Sequence, residues 1–271
     1  MLELPEVLTL AKQLQNAIVG KAVAHVLPPT KKHKFCWFSG NPAEYDKALK
    51  GGKVQAAEGF GMFAEIIFDN GLRLCVDDGV NIRLISAADA PKDYQLMIKF
   101  DDSSALVFTV AMYGGIVLHN GFDANEYYHK SRRAVSPFSE DFGAHFRRLL
   151  TDSKPTLSAK AFLATEQRFP GIGNGVLQDI LFEAGINPKR KIATFTEQDI
   201  EKLLSCIARL LREMIDLGGR DTEKDLFGNF GGYKTKMSKN GLAAGCPVCD
   251  GEIIKEAYLG GSVYYCPNCQ K

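Results

Sequence analysis

Two Cys-x-x-Cys pairs, Cys246-Pro247-Val248-Cys249 and Cys266-Pro267-Asn268-Cys269, stand near the end of the chain with sixteen residues between them. Each pair folds into a tight turn that aims two sulfurs at one point, and two such turns facing each other make a tetrahedral zinc site. Four thiolates leave no open coordination position, so the metal is expected to be structural. The spacer, with Glu252-Ile253-Ile254 and Val263-Tyr264-Tyr265 on either side of Gly260-Gly261, suits a β-hairpin with the glycines at its tip. So short a segment has almost no core, and metal binding worth roughly 10–16 kcal/mol would supply its folding energy. Zinc ribbons serve RNA, DNA and protein partners alike, so the spacing leaves the partner open.

A second stretch, Pro170-Gly171-Ile172-Gly173-Asn174-Gly175, opens directly into a helix expected over 176–184. Glycine turns at a helix start expose backbone N–H groups and can hold an anion such as phosphate, although a tight loop between helices reads the same way. Basic residues cluster at Lys31-Lys32-His33-Lys34, Arg132-Arg133, Lys189-Arg190-Lys191 and from Lys234 to Lys239. Each cluster is either a solvated surface or part of a phosphate-binding face. A net charge of +1 does not by itself suggest a nucleic-acid partner.

These groups must be held by ordinary folded structure. The chain has 271 residues, 45% of them hydrophobic and 24% charged, which allows two domains with ample core. No apolar run has the length of a membrane span and no signal-peptide pattern opens the chain, so a cytoplasmic protein is expected. Cys36, Cys75 and Cys206 lie outside the metal pattern, as isolated thiols do in a reducing compartment. Pro5 and an apolar stripe at Val7, Leu10, Leu14 and Ile18 predict an amphipathic helix closed by Gly20. A short helix capped by Asn41 follows. Strand-like runs then recur over 63–68, 72–76, 96–100, 106–111 and 116–119, separated by turns such as Asp69-Asn70-Gly71. From Glu126 the pattern is helical, with helices expected from Pro137 toward Leu150, over 157–164, and from the Thr196-Glu197-Gln198-Asp199 capping box to Gly218-Gly219. The fold class is α+β with segregated elements: a β-rich half, a helical half and a zinc hairpin.

Three motifs together carry a resemblance. The opening Glu3-Leu4-Pro5-Glu6-Val7, the turn Gly171-Ile172-Gly173-Asn174 followed by Leu181-Phe182-Glu183-Ala184-Gly185-Ile186-Asn187-Pro188, and a ribbon ending Cys-x-x-Cys-Gln-Lys occur in this order. In these motifs the chain resembles the formamidopyrimidine-DNA glycosylase / endonuclease VIII family of base-excision repair, from residue 3 to residue 271. The resemblance implies an N-terminal antiparallel β-sandwich lobe with a flanking helix, a helical lobe with a helix–two-turns–helix motif, and a zinc-finger β-hairpin. It divides the chain into residues 1–127, a catalytic-like sandwich domain, 128–222, a helical DNA-binding domain, and 223–271, a loop with the four-cysteine finger.

In that family the mature chain begins with proline, whose amine attacks the sugar of a damaged nucleotide. This sequence has Leu2 there, whose bulk hinders removal of Met1, so the amine is expected to be displaced by one residue, about 3.8 Å between α-carbons. The family's sandwich lysine falls at Met62, its hairpin-tip arginine at Gly261, and the arginine that fills the gap left by a flipped base near Ala111-Met112, beside Tyr113. By resemblance Glu3 is the catalytic acid, able to activate water, and Glu6 supports it; as a residue near a helix start, Glu3 is equally at home beside the helix dipole. Gly173, Asn174, Gly261 and Tyr113 are the implied DNA contacts. The zinc ligands are Cys246, Cys249, Cys266 and Cys269, one ion per chain.

The expected function is that of a monomeric N-glycosylase on damaged double-stranded DNA, with altered catalytic residues and weak or absent strand-cleaving lyase activity. A catalytically inactive binder of damaged DNA on the same scaffold is the alternative, and a zinc-ribbon interaction module without DNA is a third.

Overall fold

The computed structural model describes residues 1–121 and 124–271. Helix α1 (Leu4–Ile18) is followed by β1 (Val23–Leu27), β2 (Cys36–Phe38), α2 (Tyr45–Leu49), β3 (Val54–Phe60), β4 (Phe63–Phe68), β5 (Arg73–Val76), β6 (Val80–Ser86), β7 (Leu96–Phe100), β8 (Ser104–Val110) and β9 (Gly114–His119). The helical lobe holds α3 (Glu126–Arg132), α4 (Phe142–Asp152), α5 (Ala159–Ala164), α6 (Val176–Ala184) and α7 (Glu197–Asp216), and the chain closes with β10 (Ile254–Tyr258) and β11 (Gly261–Tyr265).

The strands form two sheets, ordered β1-β7-β8-β6 and β2-β9-β5-β4-β3, and a separate β10-β11 hairpin. Inner-face residues of both sheets, among them Ile98, Phe108, Ile66 and Leu74, make one core. Strand β4 is buried at every position, since one face meets that core and the other is covered, which is why it reads as an unbroken apolar run rather than an alternation. Its buried Glu65 is satisfied from three sides. Arg73 Nη1 and Arg132 Nη2 each donate to its Oε2 at 2.7 Å, and Tyr128 Oη donates to its Oε1 at 2.6 Å, which pins α3 to the sandwich.

Helix α1 joins the two lobes. Leu10, Leu14 and Ile18 belong to the sandwich core, whereas Leu4 belongs to the core of the helical lobe with Phe146, Phe162 and Leu177. Burying Leu14 and Ile18 completely stabilises this arrangement by about 1.5–3 kcal/mol each. Glu3, just before Leu4, and Glu6, in the turn between the two sets of apolar contacts, are thereby carried to the boundary between the lobes.

The predicted elements differ from the observed ones in a few places. The helix expected from Pro137 begins at Phe142, because the Ser136 hydroxyl accepts the Phe138 amide and its carbonyl the Ser139 amide, closing a turn instead. The helix expected over 157–164 starts at Ala159, capped by Ser158, whose hydroxyl accepts the Ala161 amide. Strands β1, β2, β3 and β6 have no counterpart among the predicted runs, and β2 pairs in parallel with β9 within an otherwise antiparallel lobe. The Thr196 capping box is present with Asp199 as its second member. Among the described residues no helix is long and apolar enough to cross a membrane.

Candidate active site

The glycine turn before α6 holds an anion, and the chain itself supplies it. Glu3 Oε1 accepts the Gly175 amide at 2.8 Å and Glu3 Oε2 the Val176 amide at 2.6 Å, so the first turn of α6 grips the carboxylate carried by α1. The phosphate expected at these amides is displaced by a carboxylate with the same preference for a helix N-terminus. Behind it, Arg220 donates through Nε and Nη2 to Glu6 at 3.0 and 2.7 Å and through its amide to Glu6 Oε1 at 3.1 Å. Arg220 Nη1 lies 3.4 Å from Glu3 Oε2. All three side chains are buried.

Burial raises the Glu3 pKa above the usual carboxylate range, Glu6 adds to this, and Arg220 and the two amides oppose it. Burial disfavours the Arg220 cation, but Glu3 and Glu6 more than compensate and its pKa is raised. The glycines follow from this packing. A Cβ at Gly173 would stand 2.6 Å from Glu3 Oε1, and one at Gly175 would fall 1.6 Å from Arg220 Nη1, which Glu6 prevents from moving away.

Glu3 lines a cleft of about 540 Å³ between the sandwich, the helical lobe and the hairpin. Gly173, Asn174, Gly261 and Tyr113 line the same cleft, as do Met62 and Met112. Glu6 does not line it, and acts on the site by holding Arg220 and by the direct effect of its charge on Glu3. The Asn174 side chain is committed to the hairpin: its Nδ2 donates to the Ser262 carbonyl at 3.1 Å, and its Oδ1 accepts from Gln178 Nε2 at 3.4 Å. Gln178 Oε1 also accepts the Tyr264 amide at 3.1 Å, so the first turn of α6 orients both Glu3 and β11.

Two cleft residues, Asp78 and Lys160, escape a reading of the sequence. Asp78 lies in a left-handed turn (φ 47°) between β5 and β6, and its carbonyl accepts the Leu2 amide at 2.6 Å. Burial and the neighbouring Asp77 push its carboxyl up to about 7, against the pull of the N-terminal ammonium. Lys160, buried on α5, donates to the Tyr258 carbonyl at the hairpin turn, and burial lowers its pKa. Its Nζ would stand 3.5 Å from a Cβ at Gly261, so a cation already occupies the space beside the tip. Met1, whose amine the sequence places one residue out, also lines the cleft, and its ammonium donates to Glu223 Oε2 at 2.6 Å. Asp77-Asp78-Gly79 reads as a plain strand turn, and an arginine after Gly218-Gly219 as a helix exit; only tertiary contacts give either a role.

The four cysteines converge at the far end of α6. Sulfur separations of 3.7 Å for Cys246–Cys269 and 3.5 Å for Cys249–Cys266 match the edges of a tetrahedron, about 3.8 Å for zinc–sulfur bonds of about 2.3 Å. All four sulfurs lie within 4.8 Å of one another, and the cluster fits a structural zinc ion. The last residues return to α6: the Lys271 amide donates to the Gly185 carbonyl at 3.0 Å and Gln270 Nε2 to the Ile186 carbonyl at 2.9 Å.

Comparison with known proteins gives consistent matches. A family model, the formamidopyrimidine-DNA glycosylase N-terminal domain, matches residues 1–133. The formamidopyrimidine-DNA glycosylase of Prochlorococcus marinus (strain NATL2A) is 33% identical over 146 residues, a match that spans about half of each chain, 52% of this one and 50% of that one. That of Carboxydothermus hydrogenoformans is 28% identical over 284 residues and covers 100% of both. The Lactococcus lactis formamidopyrimidine-DNA glycosylase, solved non-covalently bound to DNA containing an AP site, superposes with a TM-score of 0.81 at 25% identity, covering 99% of each chain. The corresponding Thermus thermophilus protein has the same fold, with a TM-score of 0.82 at 21% identity over 99% of this chain and 98% of that one.

Proposed function

Since the chain belongs to the formamidopyrimidine-DNA glycosylase / endonuclease VIII family, we propose that it binds damaged double-stranded DNA in the cleft beside Glu3 and cleaves the N-glycosidic bond of an extruded nucleotide. In this reading residues 1–127 carry the chemistry, 128–222 hold the duplex, and 223–271 clamp it through the zinc hairpin, one chain acting alone. Asn174, Gly173, Gly261 and Tyr113 touch the DNA, and Lys160 places positive charge beside the hairpin tip. Extruding a nucleotide costs a few kcal/mol and least where the base is damaged or mismatched, which favours lesions.

The observation that carries the proposal is the Glu3 carboxyl at the cleft wall, its two oxygens oriented by the Gly175 and Val176 amides at 2.8 and 2.6 Å. With Leu2 in place of proline, water is the nucleophile. Its oxygen bonds to the sugar carbon, the carbon–nitrogen bond breaks, its electron pair leaves with the base, and Glu3 takes the water proton. A raised pKa makes Glu3 the better base for this step. The strand-cleaving lyase step is weak or absent, because it needs an amine aligned with the sugar carbon and basic residues where Met62 and Gly261 stand.

One observation favours a second reading, the binder without chemistry: each Glu3 oxygen already holds an amide and Arg220 stands behind, so the carboxyl is structurally employed. Base release from duplexes carrying oxidised purines or pyrimidines distinguishes the two. Release by the parent chain, lost in Glu3→Gln with DNA affinity retained, supports the glycosylase. Tight binding with no release from any lesion supports the binder.

A further inference from the structure

The edge strand β2 pairs in parallel with the start of β9, Trp37 opposite Gly115, and so brings an aromatic residue beside the loop that precedes β9. Trp37 is 54% exposed, with its ring centroid 6.4 Å from that of Tyr113 at an interplanar angle of 59°. Phe35 and Met112 are exposed beside them, at 47% and 65%. The loop is fixed rather than slack. The Gly114 amide donates to the Phe35 carbonyl at 3.0 Å and the Gly79 amide to the Tyr113 carbonyl at 2.9 Å, and a Cβ at Gly79 would stand 2.6 Å from that carbonyl oxygen. Large apolar rings held rigidly at the surface mark a contact site.

Charge and continuity identify what the site takes. Lys31, Lys32 and Lys34 are exposed just before Phe35, and among the described residues none of them has an acidic partner. Tyr113 and Met112 also line the cleft, so the platform continues its wall outward. Lysines without acidic partners, Lys34 resting over the Phe35 ring at 5.2 Å, beside exposed aromatic faces suit a nucleic-acid strand whose phosphates meet the cations and whose free base stacks on a ring. An intact duplex keeps its base faces covered; one that has lost a base or extruded one leaves a face open.

We propose that Trp37, with Tyr113, forms a stacking platform for an unpaired base next to the lesion, with Lys31, Lys32 and Lys34 holding the phosphates of that strand. This rests on the DNA reading of the cleft and adds to it a means of choosing disrupted duplex over intact duplex.

Trp37 is the only tryptophan of the chain, so intrinsic emission reports this position alone. The zinc-loaded full chain is titrated with a short duplex containing a tetrahydrofuran abasic site and with the intact duplex, while the anisotropy of fluorescein-labelled copies reports binding independently. The expected result is strong quenching by the abasic duplex and little by the intact one. Trp37→Ala is expected to weaken abasic-duplex binding about tenfold, with intact-duplex binding nearly unchanged and Trp37→Phe retaining most of the affinity. Exposure of the side chain keeps these variants folded, which circular dichroism checks. Binding with unchanged emission, or an equal loss on both duplexes in Trp37→Ala, overturns this inference and leaves the cleft reading intact. No binding to either duplex overturns both.

Discussion

Arg220 and Glu6, 214 positions apart in the chain, form a buried two-point ion pair at 3.0 and 2.7 Å, and this pair ties the loop after α7 to the first helix. Its value to the site is indirect. Arg220 backs the Glu3 carboxyl, and Glu3 in turn caps α6, so one guanidinium fixes the relation between the helix that brings the acid and the helix that receives it.

Breaking that pair leaves an uncompensated buried charge. Arg220→Ala is expected to destabilise the protein by about 3–5 kcal/mol in thermal or urea unfolding, and Glu6→Gln by less, since glutamine still accepts one hydrogen bond. Gly175→Ala is expected to act on the same contact, because its methyl would collide with the held guanidinium. If Arg220→Ala melted like the parent chain, the packing between the lobes would have to come from elsewhere.

Asp78 gives stability a pH dependence whose sign follows from its raised pKa. In the folded chain the carboxyl keeps its proton up to about 7, whereas unfolded it releases it near its ordinary value of 3.8. The folded state therefore binds more protons in between, and the contribution of this group to stability falls as pH rises from about 4 to about 7 and is constant above. Asn tolerates the left-handed backbone of this turn, so Asp78→Asn isolates the charge. The melting temperature of the variant relative to the parent is expected to climb across that window; a constant difference would mean that Asp78 is ionised throughout.

Much of this is legible in the chain, and the division is physical. Each Cys-x-x-Cys turn, the glycine turn that opens at Val176 and the Thr196 capping box are local, each specified within a few residues. Glu3 stands out in the sequence, but not the fact that the glycine turn holds it, because it lies 172 and 173 positions from the amides concerned. Arg220, Asp78 and Lys160 act only through contacts that the fold creates. Strand β2, three residues long with no alternation, has no period to read.

Cys266→Ser tests the metal centre. Zinc content is expected to fall well below one ion per chain, and the β10–β11 hairpin to lose its protection in hydrogen exchange, since its core is little more than Phe182, Met237 and Ile253 around the cysteines. The sandwich core shares no residue with that cluster and is expected to stay folded. Full zinc occupancy in the variant would disprove the four-cysteine assignment.

Asn174→Ala removes the bond to the Ser262 carbonyl and one partner of Gln178. A loss of about 0.5–1.5 kcal/mol in stability is expected, together with looser docking of the hairpin. Because the hairpin is part of the proposed clamp, affinity should fall alike for all duplex sequences. A loss confined to one lesion would instead give Asn174 a part in reading the base.

The last prediction concerns Leu2. Proline at this position allows removal of Met1 and gives a secondary amine, and an N-terminal proline nitrogen still carries hydrogen for the bond now made by the Leu2 amide to the Asp78 carbonyl at 2.6 Å. The amine then stands beside Asp78 at the cleft wall, where the chain otherwise presents an amide. Leu2→Pro is expected to raise the yield of borohydride-trapped adduct with abasic DNA clearly above that of the parent chain. Strand cleavage should recover less, because Met62 and Gly261 offer no cation for elimination and groups acting on one reaction are not additive. Vigorous nicking of abasic duplex by the parent chain, abolished by Glu3→Gln, would refute this account and point to a different amine, with Lys160 the first to replace, since burial on α5 lowers its pKa at the same cleft.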